Sequence, residues 1–186
     1  MTAEARQTLH LAGSDEVEKL LDQLAARIAE DLEPNTALVG VLRRGVPLAR
    51  LLAERLHRRT GKLLEVGELK LKRYSDDLTL LHRRPELDQR TLDIEIEDRH
   101  LVLVDDVIFS GESMLRAICH LRSAGAARLQ TALLCARGRQ TMPVAIDYVG
   151  RRLDVGPAWI IDCRVPPYES TLGITITAKP GSDQDQ

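Results

Sequence analysis

Two adjacent aspartates, Asp105 and Asp106, follow the apolar residues 101–104, and a turn rich in serine and glycine, residues 110–113, comes after them. Carboxylates at the end of a buried strand are costly without a partner, and they can accept sugar hydroxyls or hold Mg²⁺. A helix that begins after glycine and hydroxyl residues presents N–H groups and a positive dipole to a phosphate. The spacing predicts a sugar-phosphate site; the alternative is that the acids only terminate a strand.

A second candidate lies in residues 39–46, where a short apolar run is followed by Arg43, Arg44 and Gly45 and then by a helical pattern. Arginine side chains donate charge-assisted hydrogen bonds to phosphate oxygens. The segment therefore indicates a second anion-binding turn. Taken alone, it also fits a surface turn with two solvated arginines.

The run VLVDDVIFSGES, residues 102–113, resembles the signature of type I phosphoribosyltransferases that binds 5-phosphoribosyl-1-pyrophosphate (PRPP). The resemblance implies that Asp105 and Asp106 are catalytic residues that contact the ribose hydroxyls and hold Mg²⁺. It also implies which residues cradle the 5′-phosphate of PRPP. These are Ser110, Gly111, Glu112 and Ser113.

Residues 39–46 resemble the loop of this family that binds pyrophosphate, often through a non-proline cis peptide bond. The resemblance implies that Arg44 and Gly45 contact the pyrophosphate and that Arg43 is catalytic. Residues 68–78 resemble the start of the flexible catalytic loop in pyrimidine-operon regulators with uracil phosphoribosyltransferase activity. Those regulators carry an arginine where this chain has Ser75, so Lys72 or Arg73 is expected to supply the charge, with Arg73 as the candidate catalytic residue.

Residues 134–150 resemble the same regulators and imply a nucleobase pocket that contains Phe109, Arg137, Tyr148 and Val149. An ordinary core role for Tyr148 remains open. Purine-using relatives place an acid at the position of Phe109, so the apolar ring favours a pyrimidine.

Two further acids affect the expected substrate and activity. Glu112 stands where relatives carry arginine or lysine, which predicts weakened PRPP binding or catalysis. The segment 159–163 is similar to the hypoxanthine-guanine branch, in which an acid at the position of Asp162 helps the metal or base site.

Apolar periodicity defines the elements that must position these residues. It predicts helices over 15–32, with Ser14 as the N-cap, 46–59 and 112–124. It predicts strands over 36–42, 69–71, 92–96, 101–104, 129–135, 145–149 and 159–161. Helices alternating with strands predict an α/β fold with a mostly parallel sheet flanked by helices. The resemblance implies the type I phosphoribosyltransferase fold, whose small hood would combine the N-terminal residues, the C-terminal segment or both. Residues 1–178 are expected to form one domain and 179–186 a flexible tail.

The composition of the 186 residues excludes few classes of function and indicates no further binding partner. The net charge of −2 indicates no general affinity for nucleic acid, and no apolar run is long enough to span a membrane. Three dispersed cysteines indicate buried free thiols in a cytoplasmic protein. The family resemblance implies a homodimer or tetramer.

The expected reaction is transfer of the phosphoribosyl group from PRPP to uracil, which gives UMP and pyrophosphate. One alternative is a purine salvage enzyme, favoured by Asp162. Another is a weakly catalytic regulator that senses a nucleotide and binds an mRNA leader through a basic face. The candidate residues for that face are Arg55, His57, Arg58, Arg59 and Lys62. These residues also fit a solvated helix end.

Overall fold

The computed structural model describes residues 7–70, 92–138 and 140–179. The elements in chain order are β1 (Thr8–Ala12), α1 (Ser14–Glu30), β2 (Thr36–Val41), α2 (Gly45–Thr60), β3 (Val66–Leu69), β4 (His100–Ile108), α3 (Glu112–Ser123), β5 (Arg128–Arg137), β6 (Tyr148–Leu153), β7 (Trp159–Arg164) and β8 (Gly173–Ala178). The expected catalytic loop with Arg73 and Ser75, and most of the expected tail, lie outside the described residues.

Five strands form a central sheet in the order β3-β2-β4-β5-β6, and every neighbouring pair is parallel. The predicted α/β fold with a parallel sheet is confirmed. Because all five strands run the same way, their carboxyl ends meet along one edge, which we call the carboxyl edge; the opposite edge is the amino edge. Ligands of parallel sheets bind beyond the carboxyl ends of the strands.

Strand β4 shows how the sheet divides the core. Val102 and Val104 face the cluster formed with α1 and α2, whereas Leu101 and Leu103 face the cluster formed with α3. The alternation does not continue unchanged past the two aspartates, because Val107 packs with the α1–α2 cluster and Ile108 with the α3 cluster.

A second sheet forms the hood. It is antiparallel, has the order β1-β8-β7, and joins the N-terminal residues to the C-terminal segment. The predicted hood is confirmed, and of the alternatives left open it is the one in which both segments contribute. Cys163, Ile174 and Ile176 of the hood are buried against the cluster that contains α1 and α2. Sequence periodicity did not indicate β1 or β8.

The structure corrects three local predictions. Residues 92–96 form no strand; instead, the Ile94 side chain packs over Gly67, where an added Cβ would lie 2.8 Å from it. Strand β6 begins at Tyr148, three residues later than predicted. Ser14 is not the cap of α1 but its first residue, and its hydroxyl donates to the carbonyl of Leu172 in the hood (3.1 Å).

Strand β3 occupies Val66–Leu69, three residues earlier than the predicted 69–71, and the remaining predicted elements occur close to their expected bounds. Strand β4 is longer than predicted because it runs through both aspartates to Ile108, paired with β5. Within the described residues, none of the helices is both long enough and apolar enough to cross a membrane.

Candidate functional site

The two aspartates at the carboxyl edge lie within β4, where Asp105 pairs with Leu133 of β5. The Asp105 carboxylate accepts the N–H of Asp106, and the Asp106 carboxylate accepts the N–H of Val107 (both 2.9 Å). Both side chains are partly exposed, with the Asp106 side chain at 20%. Oxygens that remain exposed are able to accept a further donor.

Burial raises the pKa of Asp106, and hydrogen bonds from neighbouring groups together with the charge of Arg44 oppose that rise. The net pKa of Asp106 is raised, so the effect of burial outweighs that of these partners.

The turn between β4 and α3 is fixed by its packing. Gly111 has φ of 90°, a left-handed conformation that favours glycine, and an added Cβ would lie 3.3 Å from Cβ of Met142. The Ser110 carbonyl accepts the N–H groups of Thr141 (3.1 Å) and Met142 (2.9 Å). The turn thus presents the N-terminus of α3 beside the aspartates, and this end of a helix attracts anions.

Three side chains of this turn, Ser110, Glu112 and Ser113, are exposed or partly exposed. Ser110 Oγ accepts the N–H of Glu112 (3.3 Å), and Glu112 and Ser113 are exposed. The Glu112 carboxylate lies 3.7 Å from the Arg116 guanidinium one turn later on α3. This exposed ion pair offsets part of the negative charge that the sequence places beside the turn.

The basic turn between β2 and α2 is packed directly against β4. A Cβ at Gly45 would lie 2.4 Å from the carbonyl oxygen of Val104, so only glycine allows this approach of α2 to the strand. The Leu42–Arg43 peptide bond is cis, as the resemblance implied. The packing brings Arg43 and Arg44 to the strand end that carries the aspartates.

Arg44 contacts three carboxylates that come from three segments. Its Nη2 lies 2.5 Å from Glu169 Oε1, and its Nη1 lies 3.2 Å from Asp162 and 3.7 Å from Asp106. The hydrogen bond to Glu169 raises the pKa of Arg44, and the same bond lowers the pKa of Glu169. The structure therefore joins two predicted residues, Arg44 and Asp162, to one that the sequence did not indicate, Glu169.

Arg43 contacts the same hood segment through an aromatic ring. Its guanidinium carbon lies 4.9 Å from the ring centroid of Tyr168, which is 42% exposed. This distance is within the range of a cation–π interaction. No sequence signal marked Tyr168 or Glu169, because their partners lie more than a hundred residues away in the chain.

Two of the expected nucleobase residues meet at the carboxyl edge. Phe109 is 38% exposed, and the Arg137 guanidinium lies 6.0 Å from its ring centroid. Arg137 also donates to the carbonyls of Val155 (3.3 Å) and Gly156 (2.5 Å), which hold it beyond the end of β5. The pair offers one apolar surface and one cation next to the aspartates.

The other two expected nucleobase residues lie elsewhere. Tyr148 is buried under α1, where its hydroxyl donates to Asp31 (2.5 Å) and the Arg27 guanidinium lies over its ring. Burial, with the Asp31 hydrogen bond, raises the pKa of Tyr148. Val149 faces the opposite side of the sheet and packs in the α3 cluster. The structure thus places Tyr148 as a core aromatic, the alternative that the sequence left open.

The carboxylates at this edge fit a Mg²⁺ ion that is bound together with substrate phosphates. Asp105, Asp106 and Asp162 supply oxygen ligands, but within residues 7–70, 92–138 and 140–179 no three His, Cys, Asp or Glu residues form a metal-holding group. Mg²⁺ is commonly bound by one or two carboxylates together with substrate phosphates. The residues present fit an ion that arrives with a phosphorylated substrate.

Comparison with known proteins agrees with this geometry. Residues 11–170 match the family described as the phosphoribosyl transferase domain. The chain is 35% identical over 144 residues to the bifunctional protein PyrR of Acetivibrio thermocellus, which covers 77% of this chain and 78% of that protein. It is 35% identical over 175 residues to PyrR of Pelotomaculum thermopropionicum, covering 92% and 97% respectively.

A solved structure shows the same fold at low identity. The hypoxanthine phosphoribosyltransferase of Trypanosoma cruzi superposes with a TM-score of 0.73 at 19% identity, covering 96% of this chain and 98% of that one. At this identity the likeness shows the fold and carries no information on the substrate.

Proposed function

The chain belongs to the phosphoribosyltransferase family and lies close to the PyrR proteins within it, and from that premise we propose that it transfers the phosphoribosyl group of PRPP to uracil. The products are UMP and pyrophosphate. One observation carries the proposal: paired carboxylates, a helix N-terminus and a basic turn converge at the carboxyl edge. A sugar that carries a phosphate and a pyrophosphate needs these three surfaces.

The sugar and its 5′-phosphate would bind between β4 and α3. Asp105 and Asp106 would accept the ribose hydroxyls, since both carboxylates are partly exposed. The N-terminus of α3, with residues 110–113, would donate to the phosphate oxygens. This arrangement fixes the ribose in one orientation, and such positioning lowers the barrier for the transfer.

The pyrophosphate would bind at the turn that contains Arg43, Arg44 and Gly45. Positive charge at this turn stabilises the charge that develops on the leaving group. Mg²⁺, when bound with PRPP, would add charge neutralisation of the pyrophosphate. Asp105 and Asp106 are the residues best placed to hold it, with Asp162 as a further oxygen donor beside Arg44.

The base would lie against Phe109 and Arg137. An apolar ring at this position offers no carboxylate to accept a proton from a purine ring, which supports a pyrimidine. The two relatives described above are both named bifunctional protein PyrR, which is consistent with the resemblance to the pyrimidine-operon regulators. The purine alternative has only Asp162 in its favour, and that residue is paired with Arg44.

The direct test is an assay of purified protein with PRPP, Mg²⁺ and radiolabelled uracil, with hypoxanthine and guanine in parallel. We expect UMP formation that depends on Mg²⁺, and little or no IMP or GMP. Turnover of hypoxanthine or guanine faster than uracil would replace the proposal with purine salvage. Absence of any nucleotide product from all three bases would contradict a catalytic role.

A second function, binding of an mRNA leader in response to UMP, is supported by the relatives' description as bifunctional. The C-terminal end of α2 carries an exposed basic group. Its members are His57, Arg58, Arg59 and Lys62. Arg55 does not belong to this surface, because its guanidinium is buried and paired with Glu18 and Asp22 of α1.

Filter binding of a pyrimidine-operon leader RNA tests this second function. We expect affinity that rises with UMP and falls steeply with salt, because phosphate contacts release counterions. The variant R58A/R59A should reduce binding, whereas Arg128→Gln, which removes an exposed arginine at the amino edge, should not. Salt-independent or absent binding would exclude the RNA function.

The expected homodimer or tetramer remains a prediction that light scattering would measure.

A further inference from the structure

The Arg44 guanidinium is the point at which the hood is joined to the carboxyl edge. Nε and Nη2 of Arg44 both donate to the Glu169 carboxylate, at 2.5 to 3.3 Å. This two-pronged geometry is the one in which arginine binds carboxylates and phosphates most strongly. The other prong, Nη1, faces Asp162 and Asp106. The side of Arg44 best suited to a phosphate is therefore occupied by a carboxylate of the protein itself.

Glu169 is held in this position from both sides. Its second oxygen, Oε2, accepts the N–H of Val165 at 2.7 Å, so the carboxylate also closes the turn that follows β7. The neighbouring ring of Tyr168 lies against Arg43. Residues 165–169, which we call the hood turn, thus contact both arginines expected to bind pyrophosphate.

The charges around Arg44 do not balance. One guanidinium faces the carboxylates of Asp106, Asp162 and Glu169, and the side chains are only 20–43% exposed. A pyrophosphate that approaches this guanidinium meets the carboxylates that already contact it, and partial burial strengthens their repulsion relative to open solvent. Two-pronged binding of a phosphate by Nε and Nη2 requires that Glu169 release these atoms.

We propose that Glu169 is a positioning residue that competes with the pyrophosphate group for Arg44, so that PRPP must open the contact between the hood turn and the basic turn in order to bind. The inference rests on the proposed function, since it assigns pyrophosphate to Arg44. Glu169 is the carboxylate that must leave, because it holds the two-pronged side of the guanidinium. Asp106 and Asp162 contact the other side and are free to remain with the sugar or its metal ion.

The competition has a defined consequence for affinity. Removing the charge of Glu169 releases the Arg44 guanidinium and removes one negative charge from the site. Both changes favour an incoming polyanion, so the variant should bind it more tightly than the wild type. A residue that served only to hold the hood together would produce the opposite result.

The test is calorimetric titration of the full chain with inorganic pyrophosphate and with PRPP, each in the presence of Mg²⁺. Glu169→Gln keeps the size of the side chain, and we expect a dissociation constant about tenfold lower than that of the wild type. Glu169→Asp, which shortens the reach to Arg44, should fall between the two. In uracil assays the change should appear in KM for PRPP and not in KM for uracil.

The matched control is Glu33→Gln, because Glu33 forms a similar ion pair with Arg128 (2.6 Å) at the amino edge. It should leave both dissociation constants unchanged. The second control is Arg44→Gln: in that background, Glu169→Gln should have a much smaller effect on pyrophosphate binding, because the release of Arg44 is gone and only the removal of one negative charge remains.

Two results separate failure of this inference from failure of the proposed function. If the wild type binds pyrophosphate and both Glu169 variants bind it equally or more weakly, the competition is excluded and the transferase proposal stands. If neither the wild type nor the Glu169 variants bind pyrophosphate or PRPP, the proposed function and the inference fall together.

Discussion

The two edges of the central sheet both carry polar clusters, but the clusters differ in balance. At the amino edge, Thr36 contacts His100 Nδ1 (2.9 Å) and His100 Nε2 contacts Gln130 (2.7 Å), all three being less than 9% exposed. At the carboxyl edge, Arg44 faces an excess of carboxylates that remain partly open to solvent. Matched, buried partners stabilise a fold, whereas unmatched, accessible charge is available to a ligand.

Among the described residues, no buried side-chain nitrogen or oxygen lacks a hydrogen-bond partner, so the buried polar groups of the amino edge are satisfied within the fold. Polarity alone therefore does not identify a ligand-binding site. The imbalance between donors and acceptors distinguishes the carboxyl edge, and substitutions at the two edges should separate function from stability.

Asp106→Asn should give the largest effect. It removes the charge that is proposed to bind the ribose hydroxyls, and hydrogen bonds to charged groups contribute about 1.5–3 kcal/mol each. We expect kcat/KM for PRPP to fall about 100-fold. Because burial already raises the pKa of Asp106, the neutral amide should cost little stability. Steady-state kinetics and urea unfolding measure the two quantities.

The matched substitution at the amino edge is Asp31→Asn, which weakens the acceptor of the Tyr148 hydroxyl. It should lower the free energy of unfolding and leave kcat/KM unchanged. Equal losses of activity in Asp106→Asn and Asp31→Asn would contradict the assignment of function to the carboxyl edge and of stability to the amino edge.

His100→Leu should give the next largest effect, and on stability alone. The substitution leaves the side-chain oxygen of Gln130 buried without its partner, which costs about 1–3 kcal/mol. Uracil transferase activity of the folded variant should match the wild type. A loss of activity without a loss of stability would assign the amino edge a direct role in the reaction.

The same histidine gives the protein a defined pH dependence. Burial lowers the pKa of His100 in the folded state, although the Glu33 carboxylate lies 3.9 Å away and opposes this shift. The unfolded chain therefore binds a proton first as the pH falls below about 6.5. Stability is fully present above that pH and declines below it. Urea unfolding from pH 8 to 5 should show this decline, and His100→Leu should make it shallower.

The carboxyl edge could be predicted from sequence because most of it is local. Asp105, Asp106 and the following turn form one continuous run, and strand alternation with helices was sufficient for the parallel sheet. The amino edge could not be predicted, because its members come from separate segments that share no motif. Those members are Asp31, Thr36, His100, Gln130 and Tyr148.

Two further features could not be predicted, because they also depend on contacts between segments that are distant in the chain. Glu169 meets Arg44 only after the hood folds over the sheet, a contact that spans 125 residues of chain. Tyr148 was expected at the nucleobase because residues 134–150 resemble the pyrimidine-operon regulators, and a strand pattern does not show the face to which a side chain points. One position along β6 separates the core under α1 from the α3 cluster.

Tyr148→Phe should give the smallest effect. It tests whether Tyr148 is a core aromatic residue or part of the nucleobase pocket. The substitution removes only the hydroxyl that donates to Asp31, so we expect a loss of about 1 kcal/mol in the free energy of unfolding. KM for uracil should not change, because the ring lies under α1 and not beside Phe109 and Arg137. A raised KM for uracil with unchanged stability would indicate instead that Tyr148 belongs to the nucleobase pocket. The conservative Phe109→Leu variant provides the contrast, since it should raise KM for uracil while leaving the amino edge intact.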